Sequence, residues 1–165
     1  MIRVAILSDT HMPKGTRALP AVCVERCGAA DLILHAGDFM RLGVLRELQT
    51  LGPPVHAVHG NVDDPAVRAV LPERRTVALP GDVKIGMVHD AGPKGGRLAR
   101  LRRAFPGHAA VVFGHSHAPL HERDPADGFQ IFNPGSPTER RRARAHTMGE
   151  AVLGGRGLGF VIIEL

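Results

Sequence analysis

Five apolar runs in this chain each break off at a small polar cluster, and that repeated junction narrows the available folds more than any other feature. Residues 2–7 run into Ser8-Asp9-Thr10-His11, residues 32–35 into Gly37-Asp38, and residues 55–58 into Gly60-Asn61-Val62-Asp63. Residues 83–88 end at His89, and residues 109–113 at Gly114-His115-Ser116-His117. Short runs that are apolar without alternation read as strands covered on both faces. Between the first three lie segments of helical character. Residues 17–27 form an amphipathic stretch, residues 41–51 place Leu42, Leu45 and Leu48 at helical spacing, and Pro65 can open a short helix because its fixed φ suits the first helical position. Strand-helix alternation of this kind predicts a parallel sheet with right-handed crossovers.

The second half reads differently. Residues 76–79 and 83–88 flank Pro80-Gly81-Asp82 as a hairpin, a helix covers residues 96–104, and further strands are expected at 109–113, 119–122, 129–132, 146–152 and 158–164. Gly154-Gly155-Arg156-Gly157 reads as a turn. The expectation is an α/β fold in which a parallel-led sheet packs on a second, more antiparallel sheet with helices outside. A length of 165 residues fits one domain of the usual ~100–200, here residues 1–165, and a 44% hydrophobic content supplies its core.

Composition removes several functional classes. Aromatic residues make up 4%, with no Trp or Tyr, so stacking platforms for single-stranded nucleic acid have almost nothing to be built from. The net charge of +5 favours anionic partners without naming one. No helix-turn-helix, finger or aromatic sheet signature accompanies the charge, so nucleic-acid binding is not expected; Arg97, Arg100, Arg102 and Arg103 scatter around their helix. Cys23 and Cys27, four residues apart on one helix face, read as reduced core thiols. No stretch approaches the ~18 apolar residues of a membrane span, and the opening run lacks a signal-cleavage pattern, so a cytoplasmic location is expected. A homo-oligomer is compatible with this composition.

In open α/β sheets ligands bind beyond the carboxyl ends of the strands. Convergence of the five loops there would gather Asp9, His11, Asp38, Asn61, His89, His115 and His117. Each motif alone is weak, because Asp and His also serve ordinary turns. Together they are too many for one tetrahedral zinc and suit two divalent ions roughly 3.5–4 Å apart, an arrangement that clamps both oxygens of a phosphoryl displacement. Asp38, at the end of a central strand, is the expected bridge. Oxygen and nitrogen donors without sulfur fit Mn²⁺, Fe²⁺, Zn²⁺ or Ni²⁺ better than Ca²⁺ or Cu⁺, and Mn²⁺ is the first expectation among them. His115-Ser116-His117 in an extended segment would place both rings on one side.

The ordered set Asp9-x-His11, Gly37-Asp38, Gly60-Asn61-x-Asp63, His89 and Gly114-His115-x-His117 resembles that of calcineurin-like metallophosphoesterases. The small size and Asn133-Pro134-Gly135-Ser136 resemble the compact YfcE-type phosphodiesterases, a subgroup that includes a retromer scaffold subunit. The resemblance implies the metallophosphoesterase fold, a four-layer αββα sandwich of two mixed sheets flanked by helices. It implies that Asp9, His11 and His117 hold one metal, Asn61, His89 and His115 another, and Asp38 both. The expected activity is hydrolysis of a small phosphodiester or nucleotide by a hydroxide bridging the metals, with phosphomonoesterase activity or a scaffold role without turnover as alternatives. Two positions depart from the family pattern. Val62 stands where many members carry a proton-donating His, and His89-Asp90-Ala91 replaces His-Gly-His. Protonation of the leaving group is typically worth about 10²–10⁴ in rate, so the alkoxide either leaves unassisted or takes its proton from another group; His59, at the same loop mouth, is the candidate to touch substrate or to donate that proton. Asp90 can brace a ligating ring or close a turn. His35 reads as a structural histidine. Ser136 and Arg140, in or before the basic run of residues 139–144, are expected at the substrate as a phosphate lip, although a solvated loop is the plainer reading of that run.

Overall fold

Two five-stranded sheets lie face to face in the computed structural model, which describes all 165 residues. β1 (Ile2–Leu7), β2 (Leu32–His35) and β3 (Val55–Ala57) pair in parallel, and β9 (Thr147–Gly154) and β10 (Gly157–Glu164) continue the sheet antiparallel, in the order β10-β9-β1-β2-β3. The second sheet contains β4 (Arg74–Leu79), β5 (Val83–Val88), β6 (Ala110–Val112), β7 (Leu120–Arg123) and β8 (Gln130–Asn133), in the order β4-β5-β6-β8-β7. The turn expected at residues 154–157 joins β9 to β10.

The two sheets do not differ as expected. β5-β6 and β6-β8 are both parallel pairs, so the second sheet has a parallel middle between antiparallel margins and as many parallel pairs as the first, whose antiparallel strands lie on one side only. β7 runs out along the edge and β8 returns beside β6 in β6's own direction, a path that strand patterns do not encode.

Four helices complete the layers: α1 (Ala21–Gly28), α2 (Leu42–Gln49), α3 (Pro65–Val70) and α4 (Arg97–Ala104). α1 starts later than the expected residue 17. Proline disfavours helical geometry in the residue before it, here Leu19, and Pro20 itself takes an extended φ/ψ of −55°, 142°. α3 opens as expected on Pro65, with Asp64 accepting from the Val67 N–H. Val4, Ile6 and Leu34 of the first sheet meet Val77, Ile85, Met87 and Phe132 of the second in a core with no helix. Cys23, Cys27, Leu45, Leu48 and Val67 cover the outer face of the first sheet, while Leu101 and Phe105 cover that of the second. The result is the αββα sandwich. No helix is long and apolar enough to cross a membrane.

Candidate metal centre

β1, β2, β3, β5 and β6 deliver all seven expected donors to one end of the sandwich, where the two sheets meet. Asp9, His11 and His117 form one cluster and Asp38, His89 and His115 another, the ligand atoms of each lying within 4.8 Å of one another. Asn61 joins the second, its Oδ1 lying 3.2 Å from His89 Nε2 and 2.9 Å from His115 Nδ1. Asp38 links the clusters, with Oδ2 at 3.3 Å from His11 Nε2 and 3.2 Å from His89 Nε2.

The local backbone is unusual. Asp9, His11, Asp38, His115 and His117 all have positive φ, between 45° and 70°. Left-handed geometry is uncommon for residues with a Cβ and costs energy that surrounding structure must offset. It also overturns the expected extended geometry of residues 115–117. The turn, closed by Ser116 N–H donating to Gly114 O at 2.8 Å, sends His117 to one cluster and His115 to the other.

The donor atoms are presented by hydrogen bonds on their far sides. His89 Nδ1–H donates to Ala36 O at 2.7 Å and His117 Nδ1–H to Glu139 O at 2.5 Å. A carbonyl only accepts, so both rings carry their proton on Nδ1 and turn Nε2 inward. His11 Nδ1 lies 2.9 Å from Glu139 Oε2, a close charge contact outside hydrogen-bond geometry. Asp9 Oδ2 accepts from Ser8 Oγ at 2.7 Å and from His115 N at 3.0 Å. What remains is a set of buried atoms with no hydrogen-bond partner: Asp9 Oδ1, His11 Nε2 and His117 Nε2. Buried polar atoms are ordinarily satisfied, so three orphaned donors facing one point fit a cation.

Electrostatics agree. Burial would lower His11, but Asp38, Asp9 and Glu139 outweigh it and push the imidazole up to about 9. Burial raises Asp38, yet His11 and His89 hold it well below the usual carboxylate range. Burial likewise opposes His89, but Asp38 and Asp9 raise it, so without cations this buried anionic charge attracts protons onto His11 and His89, whereas burial lowers His117.

The remaining expected residues take varied places. His59 is half-buried and lines a 350 Å³ cleft beside Asn61, His89, Arg68, Glu73 and Asp90. Val62 is exposed, and its N–H donates to Asp38 Oδ1 at 2.9 Å. Asp90 Oδ1 accepts from Gly92 N, closing its own turn and bracing no ring. Ser136 lies beneath the centre instead of at its mouth. It is 1% exposed, and its hydroxyl donates to Asp9 O at 2.8 Å and accepts from Glu139 N at 2.8 Å, which leaves no room for the expected substrate contact. Arg140 is exposed and donates to Ala143 O, whereas the neighbouring Arg141 reaches the carbonyl of His115. His35 is structural: fully buried, it accepts from Gly37 N, contacts Thr10 Oγ1 and stacks on Phe39. Cys23 and Cys27 are buried and unpaired, and burial pushes both thiols up to about 12.

Glu139 and Asp63 are the residues that sequence reasoning undervalued. Glu139 is the lone acid in the run 139–144, a signal that the surrounding arginines obscured. Asp63 accepts from Asp38 N, Gly60 N and Met40 N, fastening the loop after β2 to the loop after β3.

Comparison with known proteins agrees with this geometry. The chain is 33% identical over 141 residues to a probable metallophosphoesterase of Methanocaldococcus jannaschii, spanning 84% of this chain and 69% of that one. It is 24% identical over 149 residues to a phosphodiesterase of the same organism, spanning 81% and 83% of the two. The crystal structure of Vps29 from Entamoeba histolytica, complexed with zinc, shares the fold with a TM-score of 0.76 at 20% identity over 99% of each chain. The family profile described as the calcineurin-like phosphoesterase superfamily domain matches residues 2–153, and on that match the chain belongs to this superfamily.

Proposed function

We propose that the protein is a metal-dependent phosphodiesterase with a dinuclear centre, acting on a small diester or nucleotide. The observation that carries the reading is the shared position of Asp38 Oδ2, almost equidistant from a histidine of each cluster. Asp9, His11 and His117 would hold one divalent ion, Asn61, His89 and His115 the second, and Asp38 both. Bound there, such ions supply positive charge to a phosphoryl group and acidify water to near neutrality. Mn²⁺ is the first ion to test, with Fe²⁺, Zn²⁺ and Ni²⁺ beside it, since all four suit oxygen and imidazole nitrogen donors. The two buried unpaired thiols support a cytoplasmic address.

The chain's own residues do the orienting. Ala36 O and Glu139 fix the rings, Ser8 and the His115 N–H aim Asp9, and the Val62 N–H steadies Asp38. His59, on the wall of the cleft that opens beside Asn61, protonates the departing alkoxide in place of the family histidine that Val62 replaces. A second reading, a binding protein of the same fold without turnover, is favoured by Val62 alone.

The test is metal analysis with hydrolysis of bis(p-nitrophenyl) phosphate and p-nitrophenyl phosphate across a series of divalent metals. Wild type is expected to bind two ions and prefer the diester. Asp38→Asn should lose one ion and about 10³-fold in rate, as several kcal/mol of charge stabilisation disappear. His59→Gln should slow alkyl esters more than nitrophenyl ones, whose leaving group needs little acid. Full loading and wild-type rate in Asp38→Asn would overturn the dinuclear reading; loading without turnover in wild type would favour the binding protein.

A further inference from the structure

Directly beside the centre lies a 310 Å³ groove lined by Ser116, Pro119, Arg141, Arg142 and Arg144 among others. Ser116 stands between His115 and His117, so the groove begins one residue from both clusters. Arg140, Arg141, Arg142 and Arg144 pair with no acid, so their charges face the groove and solvent uncompensated. The one acid within reach in sequence, Glu139, is turned away onto His11, Lys14 and Arg17. Arg141 sits at φ 49°, and its Nη1 lies 3.5 Å from His115 O, holding the groove against the metal loop. Arg142 and Arg144 are exposed and make no hydrogen bond within the chain.

The scissile phosphate belongs at the metal clusters. A cationic groove next to them, open and without a counter-anion, suits a different anion on the same molecule. Guanidinium forks match phosphate oxygens in pairs, which makes phosphate the fitting ligand. With no Trp or Tyr in the chain, there is little to recognise a base by stacking. We propose that the groove bounded by Arg141, Arg142 and Arg144 binds a second phosphate, so that the preferred substrate is a phosphodiester with a phosphorylated ester arm. This rests on the phosphodiesterase reading for its substrate, but its test requires no turnover.

The probes are dithymidylates with a turnover-resistant phosphorothioate link, bearing a terminal 5′-phosphate, a terminal 3′-phosphate, or neither. They are titrated calorimetrically into the full-length, Mn²⁺-loaded protein. One phosphorylated form is expected to bind about 10- to 100-fold tighter than the unphosphorylated one, the range for charge-assisted hydrogen bonds. Arg142→Ala with Arg144→Ala should erase that ratio, and Arg142→Lys with Arg144→Lys should restore part of it. Equal affinity of all three probes for wild type, or a preference that survives the alanine pair, would overturn the second-phosphate site. Absence of diester hydrolysis in the separate rate assay would overturn the phosphodiesterase reading and leave the binding ratio to stand or fall independently.

Discussion

Glu139 grips two histidines of one cluster at once, His11 through its carboxylate and His117 through its backbone carbonyl. Its carboxyl is held below the usual range because His11, Arg17 and Lys14 outweigh its partial burial. A carboxylate behind a ligating imidazole fixes the tautomer and raises the basicity of the ligand, and its loss typically weakens metal affinity about 10–100-fold. Glu139→Ala is therefore expected to weaken binding of the ion at Asp9 by that factor and leave the ion at His89 in place; Glu139→Gln, which keeps an oxygen beside His11 without the charge, should lose less. Calorimetric titration of Mn²⁺ checks both, and an Ala variant that binds two ions as tightly as wild type would remove Glu139 from this role. Seen from the sequence, Glu139 was one charge among arginines, because its partners lie more than a hundred residues upstream or across a loop.

At the scale of elements, the loops after β2 and β3 are packed so closely that a side chain at Gly60 has nowhere to go. A Cβ there would sit 2.1 Å from Asp38 Oδ1 and 2.6 Å from Asp38 N, the second of which cannot swing away. Gly60→Ala should destabilise the fold by about 1–3 kcal/mol and displace Asp38 from both clusters. Urea midpoints and metal stoichiometry would show it. Gly43, in α2 with nothing within 4 Å of its Cβ position, is the control: Gly43→Ala should be neutral or stabilising by up to about 1 kcal/mol. Equal midpoints for the two variants would contradict this packing. Strand positions were legible within a few residues because apolar runs stop at polar clusters. The start of α1 was misplaced because amphipathic spacing extends across Pro20, while the backbone does not.

The stability of the whole molecule depends on His35 staying neutral. Burial lowers its pKa to about 3, and its Nδ1 accepts the Gly37 N–H, a bond that protonation would break. The unfolded chain takes up this proton near the ordinary 6.5, so between the two values the unfolded state holds more protons and stability rises with pH. Its contribution is complete above pH 6.5 and falls by about 1 kcal/mol per pH unit on acidification towards pH 3. Urea unfolding of the metal-free protein at pH 7, 6, 5 and 4 should show that slope, and His35→Gln should flatten it; an unchanged slope in the variant would assign acid sensitivity to other groups.

The sequence by itself determined the strand-helix order of the first half, the seven candidate donors and the family, since each is written in a local run and the polar residues that end it. Tertiary structure alone decided that Asp38 faces both clusters, that His115 and His117 part company, that Ser136 turns inward and that Glu139 braces the rings. Those outcomes depend on left-handed backbone and on hydrogen bonds between loops far apart in the chain. Local periodicity carries no record of such contacts.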